Sequence, residues 1–131
     1  MDKKIIILNS SNFNDLEGFY NEIDRLLTKN LSWKTGHNLD ALNDLLRGGF
    51  GVYEYEEPVI IIWENANKSK EDLGYKETIK HYENMLLTCH PTNRDSVKEL
   101  LERAKQNQGD TLFDIIVGIM KEHDHIEFKM K

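Results

Sequence analysis

The chain has 131 residues and a mass of 15.4 kDa, which is room for one domain with a real apolar core and no need of disulfides or a structural metal. Its formal net charge of -6 works against a phosphate-binding surface, because nucleic-acid affinity comes largely from clustered Lys and Arg, so direct binding of nucleic acid is not expected. No apolar run approaches a membrane span, the start M-D-K-K-I-I-I-L-N has no signal-cleavage pattern, and a lone cysteine, Cys89, agrees with a reducing compartment, so a cytoplasmic protein without a membrane partner is expected.

Taken in order, residues 4–9 (K-I-I-I-L-N) form a branched apolar run too short for a helix core, and the reading is a strand buried on both faces. Asn14 followed by Glu17 has the form of a capping box, and Leu16, Phe19, Tyr20, Ile23, Leu26 and Leu27 then repeat at helical spacing over 15–28. A polar connection containing Trp33 leads to G-H-N-L-D-A-L-N-D-L-L-R-G-G-F-G, residues 36–51. With Asn38 as N-cap, Leu39, Leu42, Leu45 and Leu46 share one helical face, while Asp40, Asn43, Asp44 and Arg47 share the other. Gly48 and Gly49 stop this helix.

After the loop V-Y-E-Y-E-E-P, Pro58 opens V-I-I-I-W, which reads as the central strand of a parallel sheet with both faces covered. Asn65 to Gly74 is polar and reads as a loop with Ser69 a candidate N-cap. Apolar spacing predicts helices over 76–89, 94–107 and 111–122, the first two separated by Pro91 and the last capped by Asp110. The third should be the most buried, and Gly118 within it suggests either a close neighbour or an adjusted local geometry. I-E-F-K-M-K alternates as an edge or one-sided strand does. The order β-α-α-β-α-α-α-β predicts an α/β fold with a small three-stranded parallel sheet and helices largely on one face.

Catalytic signals are weak. Cys89 with His81 or His90 could make a nucleophile and base, but Cys89 also fits the apolar face of its helix. His123-Asp124-His125 lacks the spacing of established metal sites, and no metal or cofactor is expected. The R-G-G-F-G glycines follow a helix and so face its negative end, the wrong end for cradling phosphate. Asp40 and Asp44 are the feature left over. Like charges at i and i+4 cost an isolated helix about 0.2–0.5 kcal/mol; the macrodipole accounts for Asp40 at the helix start, while mid-helix Asp44 is left with Arg47 as its only nearby partner. Their spacing leaves a solvated face and an acidic recognition face both open.

At G-H-N-L-D-A-L-N-D-L-L-R-G the chain resembles the barstar family of ribonuclease inhibitors, and more closely its longer members with R-G-G-F-G. Asn14-Asp15-Leu16, Pro58 to Trp63 and Ser69-Lys70 recur in family order; the resemblance covers 3–70 well and 111–130 more loosely, with 71–110 a helical insertion in a single domain spanning 1–131. It implies a parallel three-stranded sheet and a non-enzymatic inhibitor, of immunity or antitoxin type and monomeric when free, that buries an acidic helix in the basic active site of a ribonuclease or toxin nuclease. Asp44 matches the family's principal inhibitory carboxylate and Asp40 a supporting one, with Asn43, Trp33, His37, Arg47 and Gly48 completing the implied contact set. Lys34 and Thr35 stand where the prototype has paired tyrosines, Asn43 where it has a tryptophan, and Gly118 near where its last helix supplies a glutamate, a role that Glu122 can take over. The alternative is a regulatory binding module of the same fold with a non-nuclease partner.

Overall fold

A computed structural model describes residues 3–29 and 36–131. Its strands are β1 (Lys4–Asn9), β2 (Val59–Glu64) and β3 (Ile126–Met130), and its helices α1 (Leu16–Leu27), α2 (Leu39–Arg47), α3 (Ala66–Asp72), α4 (Tyr75–Thr88), α5 (Arg94–Lys105) and α6 (Leu112–Lys121). The sheet is three-stranded and parallel, in the order β1-β2-β3, so the Pro58-led strand is central as its composition predicts.

Register divides the sheet into two unlike faces. Ile6 and Leu8 of β1 lie level with Ile61 and Trp63 of β2, and Val59 and Ile61 with Ile126 and Phe128 of β3; this face meets the helices. Trp63 sits at its centre, stacked on Phe19 of α1 at 5.7 Å and tilted against Phe113 of α6 at 5.1 Å between ring centroids. Its indole Nε1 donates to Ser10 Oγ at 2.8 Å, and Ser10 in turn shares a hydrogen bond with Ser69, so the polar edge of a buried ring is satisfied. The other face is open. Ile5 is 58% and Ile7 44% exposed, and Ile60 and Ile62 are half-buried, which corrects the expectations that β1 is buried on both sides and that β2 is covered on both faces. An unbroken run of isoleucines has no period to say which side is covered.

Several local expectations shift. The cap of α1 is Asp15, one residue later than expected, accepting from the Gly18 N–H at 2.7 Å. Residues 66–72 are helix α3 rather than loop, bringing the helices to six among the described residues. Its inner face is built from Ala66 and Ser69, followed by Leu73, and the two small residues carry too little apolar signal to mark a helical stripe. Ser69 is fully buried against Ser10 and caps nothing. Thr111, not Asp110, caps α6, in a capping box with Asp114. Gly118 is exposed, and a Cβ there would meet nothing within 4 Å, so no close neighbour explains it.

The helices α4 and α5 pack on each other around Tyr82, Val97, Leu101 and Ala104, an apolar cluster distinct from the one over the sheet. The pair is tied to the rest by polar contacts: Thr78 Oγ1 accepts from the Leu112 N–H at 2.8 Å, and Glu77 accepts from the Leu16 N–H at 2.7 Å. No described helix is long and apolar enough to cross a membrane.

Candidate recognition helix

The helix α2 forms where the spacing places it, with Asn38 as cap and its side chain accepting from the Ala41 N–H at 2.7 Å. Leu42, Leu45 and Leu46 are buried in the main core, and the helix lies against α1 and α6. The opposite face turns Asp40 and Asp44 to solvent. Among the described residues neither carboxylate forms an ion pair or a side-chain hydrogen bond; Arg47 does not pair with Asp44.

Both ends of α2 are held. At the start, His37 lies between two α1 carboxylates, with Nδ1 2.6 Å from Glu17 and Nε2 2.8 Å from Asp24, and its ring stacks on Tyr20 at 5.5 Å. The hydrogen bond to Asp24, helped by that to Glu17, outweighs burial and raises the His37 pKa, favouring an imidazolium that donates from both nitrogens. With both nitrogens engaged, His37 positions the helix. At the other end Gly48 adopts φ of 95°, and an added Cβ would run into the Glu54 carbonyl and come within 2.7 Å of the Tyr53 ring. Gly48 is buried and closes the end of α2. Tyr53 donates its hydroxyl to the Leu46 carbonyl at 2.8 Å, satisfying one of the acceptors that a helix C-terminus leaves open.

Asn43 points to the junction of α6 and β3, where its Oδ1 lies 2.7 Å from His123 Nε2. Burial, followed by the neighbouring His125 and Arg47, lowers the His123 pKa, so the ring is a neutral donor to Asn43. Beside it, Arg47, Glu56, Glu122, His123, Asp124 and His125 line a shallow cleft of about 310 Å³. Glu122 therefore comes to the C-terminal end of α2. Of the anticipated contact residues, Asp40, Asp44, Asn43, Arg47, His37 and Gly48 are gathered on or beside one helix, while Trp33 lies outside the described residues.

Glu17, Asp24 and His123 were not anticipated as parts of this region. Glu17 and Asp24 are seven residues apart, two turns on one face of α1, which is a readable signal for a pair facing one group. Nothing local signals the meeting of Asn43 with His123, 80 residues on.

The nucleophilic alternative finds no geometry. His81 is eight residues before Cys89, roughly 12 Å along a helix, and His90 turns its Nδ1 to Thr92 at 2.8 Å. Among the described residues no three His, Cys, Asp or Glu side chains converge as metal ligands.

A capped helix with paired outward carboxylates, packed on a three-stranded parallel sheet, agrees with the family comparison: the model described as Barstar (barnase inhibitor) matches residues 3–120. The chain belongs to the barstar family. The match runs through β1, α2, β2, α4 and α5 and covers most of α6, while β3 lies beyond it. A search of curated proteins finds no match. The family is described as that of an inhibitor.

Proposed function

We propose that this barstar-family protein is a non-enzymatic inhibitor of a basic ribonuclease or toxin nuclease, acting in the cytoplasm as an immunity or antitoxin protein. The observation that carries this reading is the pair Asp40 and Asp44, exposed and without a partner among the described residues on a helix held at both ends. Two carboxylates one turn apart imitate the anionic phosphates of RNA, and a nuclease active site supplies the cations that this chain leaves unprovided. Glu56, Glu122 and Asp124 extend the acidic character past the end of α2, with Arg47 among them to pair with an acidic group on the partner's rim. Asn43 and His37 act by fixing the helix, and Gly48 by turning the chain away from it. The α4–α5 hairpin is an insertion that adds its own small core beside this arrangement.

The test is inhibition of RNA cleavage by candidate basic nucleases, with the unmodified chain and an Asp40→Ala, Asp44→Ala double variant. Truncating one member of a buried interfacial charge pair generally costs about 2–5 kcal/mol, a range that already includes measurements on barnase and barstar. The double variant is therefore expected to lose at least ~30-fold in affinity. Unchanged inhibition would remove α2 as the inhibitory face.

A further inference from the structure

The open face of the sheet carries a pattern that no part of the inhibitory reading uses. In register, Ile5, Ile60 and Glu127 form one row across β1, β2 and β3, and Ile7, Ile62 and Lys129 form the next. Ile5 and Ile7 are exposed, Ile60 and Ile62 are half-buried, and Glu127 and Lys129 are exposed. None of the four isoleucines belongs to either apolar cluster. Four adjoining branched side chains on one flat face make a contiguous apolar patch with a charged edge, which is unlike scattered surface hydrophobes.

We infer that this face is the interface of a two-fold dimer of the chain, a departure from the free monomer that the family resemblance implies. Consider an axis lying across the strands, midway between the two rows. Rotation about it sets each row over the other row of the partner copy, so that Ile5 faces Ile7, Ile60 faces Ile62 and Glu127 faces Lys129 in both directions. Within one chain the same two charges already lie close, with Lys129 Nζ 3.9 Å from Glu127 Oε2, so pairing across the axis completes a four-charge network. An axis along the strands would instead set Ile5 and Ile7 against Glu127 and Lys129, burying charge on hydrocarbon. The charges thus select one symmetry. Sheets packed face to face in this way lie ~10 Å apart with their strands within about 30° of alignment, a small enough angle to keep the rows in reach.

Strands of five or six residues spaced ~4.8 Å give a face of roughly 15 by 20 Å, or on the order of 600 Å² of total contact, below the ~1,000 Å² of a durable interface. The dimer is accordingly weak and concentration-dependent. The leucines of α2 pack into the core on the other side of the sheet, so dimerisation leaves both acidic helices free, and the inference does not depend on what they bind.

Sedimentation equilibrium of the full chain, from micromolar to about millimolar, tests it. The weight-average mass should rise from 15.4 kDa and level off at twice that value. Ile7→Lys should weaken association at least ~10-fold, and its circular dichroism should match the parent because the side chain it replaces is already half in water. Glu127→Lys and Lys129→Glu should each weaken self-association, the two single variants mixed should associate more tightly than either alone, and the double exchange should regain the parent behaviour. A constant mass of 15.4 kDa throughout, growth beyond a dimer, or indifference to the charge reversals would overturn the proposal.

Discussion

His37 shows how one side chain can set the attitude of a helix. It bridges Glu17 and Asp24 of α1 one residue before the cap of α2, so its charge state controls how firmly the start of that helix is held. Its folded pKa is raised, chiefly by the hydrogen bond to Asp24. The stabilisation is therefore complete below the unfolded value of about 6.5 and is lost as pH rises through the higher folded value. Urea midpoints measured across that window should fall with rising pH, and His37→Gln should flatten the fall; an unchanged slope in the variant would refute the clamp. Glu22 titrates in the opposite sense. Its hydrogen bond to Arg25 comes first among the causes that hold its carboxyl below the ordinary value, so its contribution is present at neutral pH and disappears in acid as pH falls through the folded pKa.

Elements end where particular residues make them end, and two glycines give opposite expectations. Gly48, at φ of 95° and backed by Glu54 and Tyr53, is required by the turn that closes α2. Gly48→Ala should destabilise by more than ~1 kcal/mol, through both the left-handed backbone and the clash. Gly118 lies within α6 in open space, where alanine carries no steric penalty and lowers the entropy of the unfolded chain. Gly118→Ala should raise stability by about 0.5–1 kcal/mol. Thermal or urea unfolding of both variants checks the pair, and a loss of stability in Gly118→Ala would mean that α6 is constrained there in some other way.

Across the whole molecule the two apolar clusters differ in size and in what they support. The cluster over the sheet includes Trp63, Phe19 and the leucines of α2, whereas the α4–α5 cluster is built on Tyr82, Val97, Leu101 and Ala104. A small cluster held to the rest largely by polar contacts should open first. Leu101→Ala, at a buried site, should cost the hairpin about 2–5 kcal/mol. Amide hydrogen exchange in that variant should quicken throughout α4 and α5 while β2 stays protected. Equal acceleration in β2 would show that both clusters unfold together.

Local rules made much of this architecture legible. The cap at Asn38, the leucine stripe of α2, its glycine stop and the spacing of α4 to α6 all depend on residues within a turn or two of each other, and the parallel sheet follows from short apolar strands joined by helical crossovers. The resemblance to barstar rested on the same segment, and it singled out Asp40 and Asp44 where spacing left a recognition face and a solvated one both open. Tertiary structure alone decided which side of β1 is covered, since three consecutive isoleucines look alike in either orientation. It also turned Asn43 to His123, set His37 between two carboxylates and brought Glu122 to the end of α2. These are meetings of groups far apart in the chain. Helical and strand periods record only which way a residue faces, and the partner it meets there is fixed when the elements pack.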